Sequence, residues 1–116
     1  MEEKDKRVYK RLRMELNMRY RILQPNLEVS DEHLTTAQNL SAGGLAFCTN
    51  EKLRMGLTLQ LAVELPISET PIVCLSRITR IEGPLKNGSF MIGVCFLDMT
   101  SSDRTQLDQF VKEEVS

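Results

Sequence analysis

The sequence predicts an all-β domain that ends in one helix, with about six antiparallel strands forming a closed or partly closed barrel. Three observations predict this fold class. Apolar and polar residues alternate along most of the chain, which is the period of a half-buried strand. The connections between these segments are short, which favours antiparallel pairing. A chain of 116 residues has room for one core, and a barrel encloses one without long exposed edges.

The first half of the chain contains three predicted strands. Alternation begins at residue 16 and continues over residues 16–23, and a second strand is expected over about residues 34–39. The polar stretch 24–36 is expected to be partly a connection. Two consecutive glycines at 43–44 indicate a backbone with positive φ or a close approach to another group. A third, short strand follows over residues 45–50.

The second half adds three more strands. The clearest alternation of the chain covers residues 57–65, and prolines bracket the turn after it. Residues 72–81 are rich in β-branched side chains, which favours a strand. The dipeptide Asn87-Gly88 is typical of a tight hairpin connection. The last strand is predicted over residues 90–96.

A helix is predicted from Ser101 to the end of the chain, because the apolar period changes there from two residues to between three and four. Polar residues at its start are the candidates for capping it. These candidates are Ser101, Ser102 and Asp103, and the apolar helix residues are Leu107, Phe110, Val111 and Val115.

Charge is unevenly distributed along the chain. Eight cations and two carboxylates lie between residues 4 and 21, so this segment carries +6. The protein has a net charge of −1, so all other residues together carry −7. Five of the eight cations are arginines, whose planar guanidinium suits phosphate and guanine better than the lysine ammonium does. The segment is therefore either a solvated basic face or an anion-binding site.

Composition and domain organisation indicate one soluble domain. No segment approaches the roughly 20 apolar residues of a membrane span, and the first residues lack the apolar part of a signal peptide. The domain is divided into a basic N-terminal arm, residues 1–15, and a barrel with its helix, residues 16–116. Three unpaired cysteines are expected to be buried thiols in a reducing, cytoplasmic compartment.

The sequence offers little catalytic chemistry, so we expect that the protein is not an enzyme and holds no metal or cofactor. The lone histidine, His33, is expected in a surface loop, and nothing brings it near a nucleophile. The cysteines Cys48, Cys74 and Cys95 lie in or beside apolar strands and do not pair at metal-binding spacing. There is no phosphate-binding GxxxxGK[ST] loop and no GxGxxG sequence.

Two motifs predict binding rather than catalysis. The first is Arg7-Val8-Tyr9-Lys10-Arg11, an RxxxR sequence preceded by Lys6. The second is Asn39-Leu40-Ser41-Ala42-Gly43-Gly44, which matches [DN]xSxxG. Together, about 30 residues apart, they resemble the motifs of the PilZ domain family, bacterial receptors for the second messenger cyclic di-GMP.

Further segments of the chain resemble the same family. Residues 12–21 are similar to the segment that joins the arginines to the first strand. Residues 92–96 have the sequence IGVCF and are similar to the "IGVxF" last strand. Residues 102–110 are similar to the closing helix. The resemblance implies a six-stranded Greek-key or split barrel with a C-terminal helix, and a ligand held on the barrel beneath the N-terminal arm.

The resemblance assigns cyclic di-GMP as ligand, with roles that suit the residue types. Arg7 and Arg11 would donate to guanine O6 and N7 or to phosphate, and side chains four residues apart in an extended segment lie on one side. Asn39 and Ser41 would accept from guanine N1 and N2. Gly44, with Gly43, would let the purine approach the main chain.

Two positions leave affinity and stoichiometry open. Asn39 stands where the family often has aspartate, and it lacks the negative charge that favours the guanine donor pair. A basic residue before RxxxR favours an intercalated ligand dimer, but Lys6 lacks the stacking plane of arginine. Both one and two bound ligands are therefore retained.

The function predicted from the sequence is a cyclic di-GMP receptor whose N-terminal arm becomes ordered over the ligand and is sensed by a downstream protein. Arg7 lies close to the start of the chain, where loose order without ligand is expected. One alternative is a PilZ-like protein-interaction module that no longer binds nucleotide. A nucleic-acid partner is disfavoured because the body is acidic and the aromatic residues needed for stacking are scarce. Partner, process and oligomeric state are not predicted.

Overall fold

The computed structural model describes residues 15–26 and 28–115, and in this part of the chain six strands precede one helix. The strands are β1 (Leu16–Leu23), β2 (His33–Gln38), β3 (Gly44–Thr49), β4 (Thr58–Val63), β5 (Ile72–Glu82) and β6 (Phe90–Met99), and the helix is α1 (Ser101–Val115). Each element lies where the apolar period predicts it, with boundaries that shift by a few residues. The predicted arm, residues 1–15, lies outside the described residues except for Glu15.

The six strands close into an antiparallel barrel in the order β1-β2-β3-β6-β5-β4, with β4 pairing back onto β1. This arrangement confirms the predicted fold class. β3 and β4 are consecutive in sequence but not neighbours, so the connection at residues 50–57 crosses one end of the barrel. Closure leaves no strand edge of the barrel unpaired, which removes the liability of an exposed edge.

The core forms because alternate side chains of every strand point into the barrel. The pairing Tyr20↔Leu61↔Cys74 carries one such inward row across β1, β4 and β5. Helix α1 adds an apolar face to the same core. The largest fully buried apolar side chains are Met18, Tyr20, Leu40, Phe47, Leu59, Leu61, Ile72, Ile78, Ile92, Leu107 and Phe110.

The start of α1 differs from the prediction in its capping residue. Thr100 is the cap, because its Oγ1 accepts a hydrogen bond of 3.1 Å from the backbone N–H of Asp103. Asp103 instead accepts from the backbone N–H of Val73 in β5, at 3.1 Å, and so joins the helix to the barrel. Val115, the last predicted apolar residue of the helix, has its side chain outside the described part of the structure.

His33 lies in a strand and not in the surface loop that was expected. It is the first residue of β2, pairs with Tyr20 in β1, and stacks on the Tyr20 ring at a centroid distance of 4.9 Å. Its Nδ1 lies 3.7 Å from a carboxylate oxygen of Glu51. The residues before His33 are polar, so the local sequence does not indicate where β2 starts. β2 extends to His33 because this residue pairs with Tyr20 of β1.

β5 and β6 form a hairpin, but their connection covers residues 83–89 and is longer than the tight turn that Asn87-Gly88 indicates. Gly88 has a φ of 84°, a conformation that favours glycine. The Asn87 side chain accepts from the backbone N–H of Ser89 at 3.0 Å and from its hydroxyl at 2.6 Å. No helix among the described residues has the length and apolar character needed to cross a bilayer.

Candidate functional site

The [DN]xSxxG motif forms the connection from β2 to β3. Asn39 follows the last residue of β2 with a φ of 51°, a left-handed conformation that asparagine tolerates better than most residues. The next residue, Leu40, is buried in the core. Asn39 lines a surface cleft, and its side chain makes no hydrogen bond to any residue that the structure describes. Its amide is therefore available to a ligand.

Ser41 holds the turn together. Its backbone N–H donates to the carbonyl of Gly44 at 2.9 Å, and its hydroxyl donates to the same carbonyl at 3.3 Å. The hydroxyl oxygen also accepts from the backbone N–H of Gly43 at 3.3 Å. Ser41 also lines the cleft, so its oxygen has one further lone pair to offer a ligand.

The two glycines of the motif differ in their surroundings. Neither has a positive φ, and the left-handed residue here is Asn39; the alternative prediction, a close approach to another group, holds for Gly44. A Cβ on Gly44 would lie 2.0 Å from the carbonyl oxygen of Val94 in β6, which is the protein's own main chain. A Cβ on Gly43 would meet nothing within 4 Å. Only Gly43 therefore presents an open backbone face to a ligand.

The barrel brings the motif together with residues of β5 and β6 around a cleft of about 420 Å³. All four motif residues that the sequence selects line it: Asn39, Ser41, Gly43 and Gly44. The cleft is also lined by Thr79 and Arg80 of β5 and Gly93 of β6. Thr79 and Arg80 were not predicted from the sequence. Arg80 is the single charged side chain among the described residues that line the cleft.

Helix α1 contacts the motif through the side chain of Arg104. A guanidinium nitrogen of Arg104 donates a short hydrogen bond to the carbonyl oxygen of Ala42, in the middle of the motif. The same nitrogen lies 3.6 Å from a carboxylate oxygen of Asp108, one turn further along the helix. The backbone N–H of Phe96 in β6 donates to the carbonyl of Gly43 at 2.9 Å. These bonds attach the motif to two other elements.

The profile of the PilZ domain matches residues 5–113, nearly the whole chain. The chain belongs to the PilZ domain family. Several solved structures have the same fold. The inhibitor of motility MotI/DgrA of Bacillus subtilis superposes with a TM-score of 0.73 at 24% identity, over 94% of this chain and 50% of that protein. No protein of curated function matches the chain.

Two further structures with this fold contain the nucleotide. The PilZ domain of YcgR from Escherichia coli, with c-di-GMP, has a TM-score of 0.64 at 13% identity over 95% of this chain and 92% of that one. The K. pneumonia MrkH–c-di-GMP complex has a TM-score of 0.67 at 15% identity, over 94% of this chain and 51% of that one. The chain spans about half the length of MotI/DgrA and of MrkH. PilZ domains are receptor and effector domains.

The first PilZ motif, RxxxR, belongs to the N-terminal arm. Lys6, Arg7 and Arg11 lie outside the described residues, so their position beside the ligand stays a prediction. Two other cations of the basic segment belong to the barrel. Arg19 and Arg21 of β1 lie 3.7 and 3.6 Å from a carboxylate oxygen of Glu32, away from the cleft.

Within the described part of this PilZ domain, no group of three or more His, Cys, Asp and Glu side chains is placed to hold a metal ion. The three cysteines are free; Cys74 is buried in the core, whereas Cys48 and Cys95 are half-buried. Burial raises the pKa of the Cys74 thiol to about 12, although the nearby Arg104 cation lowers it. Burial also raises the pKa of Tyr20, against the hydrogen bond of 2.8 Å that its hydroxyl forms with Thr49. Neither group is an activated nucleophile.

The raised pKa of Cys74 predicts a loss of stability at alkaline pH. The ordinary pKa of the thiol is 9.0, so the unfolded chain releases this proton first. The contribution of Cys74 to the free energy of unfolding is complete below about pH 9 and is lost as the pH rises towards 12, by up to about 1.4 kcal/mol per pH unit. Urea unfolding between pH 8 and 11 measures this slope. Cys74→Ala should have a shallower slope than the wild type, and equal slopes would contradict the assignment.

Proposed function

We propose that this PilZ domain binds cyclic di-GMP in the cleft between the Asn39–Gly44 motif and β5, with Arg7 and Arg11 completing the site from the arm. The observation that carries the proposal is the cleft itself, which is lined by every selected residue of the second PilZ motif. The arginines of the first motif lie within the segment matched by the family. The nucleotide complexes of YcgR and MrkH, which share the fold, support the same ligand class.

The chemistry of the cleft suits a guanine dinucleotide. The unpaired Asn39 amide offers an oxygen to the N1 and N2 donors of guanine. The open backbone at Gly43 gives a flat surface against which a purine ring can lie. Arg7 and Arg11 supply the guanidinium donors for guanine O6 and N7 or for phosphate, which asparagine and glycine cannot supply.

Calorimetric titration of the chain with cyclic di-GMP tests the proposal. We expect saturable heat and a rise in melting temperature with ligand, because a ligand that binds only the folded state stabilises it. The absence of both at millimolar ligand would exclude the function. The remaining function would then be the alternative predicted from the sequence, a PilZ-like protein-interaction module that no longer binds nucleotide.

We further propose that ligand binding orders residues 1–15 over the cleft, and that a downstream protein senses this change. The two halves of the site lie on different segments, so a ligand that contacts both must bring the arm onto the barrel. Amide hydrogen exchange measures this directly. Peptides from the arm should exchange more slowly with ligand, whereas peptides from β4, which does not line the cleft, should be unchanged. An arm whose exchange is identical in the free and saturated protein would contradict this mechanism.

Asn39→Asp is expected to strengthen binding about 3- to 10-fold. A carboxylate forms charge-assisted hydrogen bonds to the guanine N1 and N2 donors, which are stronger than those of the neutral amide. Aspartate also tolerates the left-handed backbone at this position. Titration calorimetry measures the change. Asn50→Asp, at an exposed position outside the cleft, is the control for the added negative charge and should bind like the wild type.

A further inference from the structure

A β-bulge in β5 turns Arg80 towards the cleft. Up to Ile78 the buried residues of β5 alternate regularly, and Ile78 pairs with Val94. The next pair is Arg80↔Gly93, so Thr79 is the extra residue of a bulge. Without it, Arg80 would continue the inward-facing series of Ile78. With it, Arg80 lies on the outside of the barrel, while Ile81 returns towards the core.

Small residues form the surface on which Arg80 lies. Ala46, Gly93 and Arg80 are successive partners across β3, β6 and β5, and all three line the cleft. A Cβ on Gly93 would lie 3.3 Å from the Arg80 Cβ and 3.4 Å from its Nε. The arginine side chain therefore runs flat across Gly93, and a side chain there would displace it.

Glu82 holds one edge of the Arg80 guanidinium. The Arg80 Nε lies 3.2 Å from a Glu82 carboxylate oxygen, and both side chains are about half exposed. An exposed pair of this kind contributes little to stability. The other guanidinium nitrogens have no partner among the described residues, so a ligand in the cleft can accept hydrogen bonds from them.

We propose that Arg80 is a third ligand-binding arginine of this site and that it binds a phosphate of the dinucleotide. The inference rests on the proposed function. The formal charges of cyclic di-GMP are on its two phosphates, and Arg80 is the single charged side chain in the described lining of the cleft. It lines the same cleft as the motif that is proposed to bind guanine. Glu82 orients Arg80 without ligand and competes with the phosphate for it.

Titration calorimetry with cyclic di-GMP on the full chain tests this assignment with four variants. Arg80→Met keeps the apolar stem over Gly93 and removes the charge, so its Kd should rise about 10- to 100-fold. Arg80→Lys keeps a cation that can reach phosphate and should lose less than about 10-fold. Arg77→Met, on the same strand but outside the cleft, is the matched control and should bind like the wild type. Glu82→Gln removes the competing carboxylate and should bind a few-fold more tightly.

The outcomes separate this inference from the proposed function. If the wild type binds and Arg80→Met binds within twofold of Arg77→Met, Arg80 is not a ligand-binding residue. If Arg80→Lys is as weak as Arg80→Met, the phosphate assignment is wrong. Weaker binding by Glu82→Gln would contradict the competing role of Glu82. No binding by the wild type would overturn both proposals. Melting of each variant without ligand checks that the barrel is intact.

Discussion

Replacing Arg7 or Arg11 with alanine is expected to weaken the binding of cyclic di-GMP by about 100-fold or more. Each arginine is predicted to donate two hydrogen bonds to guanine or phosphate, and a charge-assisted bond contributes roughly 1.5–3 kcal/mol. Titration calorimetry measures the loss. The fold should be unaffected, because the strands of the barrel begin at Leu16.

Arg54→Ala is the control for removal of a positive charge. Arg54 is exposed in the connection between β3 and β4 and does not line the cleft. We expect its affinity for cyclic di-GMP to match the wild type. If Arg54→Ala and Arg7→Ala weaken binding equally, the arginines act through general electrostatic attraction, and the predicted contacts of the RxxxR motif are wrong.

Gly44→Ala is expected to destabilise the domain by about 3 kcal/mol or more. The new Cβ would lie 2.0 Å from the carbonyl oxygen of Val94, and main chain cannot give way as a flexible side chain can. Gly44 pairs with Cys95 where β3 joins β6, so relief of the clash would have to separate two barrel strands. Urea unfolding gives the change in the free energy of unfolding.

Gly43→Ala is the matched control for Gly44→Ala. The two glycines are adjacent, but a Cβ at Gly43 meets nothing within 4 Å, so its stability should stay within about 0.5 kcal/mol of the wild type. Its effect should instead appear in ligand binding, because the methyl group projects from the face proposed to hold the purine. Equal stabilities for the two variants would contradict the close approach of β3 to β6.

The strand positions could be predicted because each strand has one face in the core and one in solvent. Residues 16–23 and 57–65 alternate for this reason, and β1 and β4 form there. Where another strand determines the structure, the prediction was less accurate. His33 lies in β2 because it pairs with Tyr20, although its sequence neighbours are polar. The helix cap was also predicted less accurately, because Thr100 lies one residue before the first predicted candidate, Ser101.

One feature of the sequence could have revealed Arg80. Ile72, Cys74, Ser76 and Ile78 are spaced two positions apart along the strand. The next apolar residue after Ile78 is Ile81, three positions later. That change of spacing indicates an extra residue in the strand, and a bulge near it reorients the side chains beside it. The bulge predicts that Arg80 faces outward. It does not predict which residues lie beside Arg80, since that depends on which strand pairs with β5.

The sequence by itself determined the fold class, the order of the elements and the motif that forms one wall of the cleft. These depend on the local period and on residues close together in the chain. The tertiary structure alone decided that Gly44 is needed for strand packing while Gly43 is open, and that Arg80 lines the same cleft as Asn39. Both depend on β6, which closes against β3 on one side and β5 on the other. Contacts between residues some 40 to 50 positions apart leave no periodic pattern along the chain.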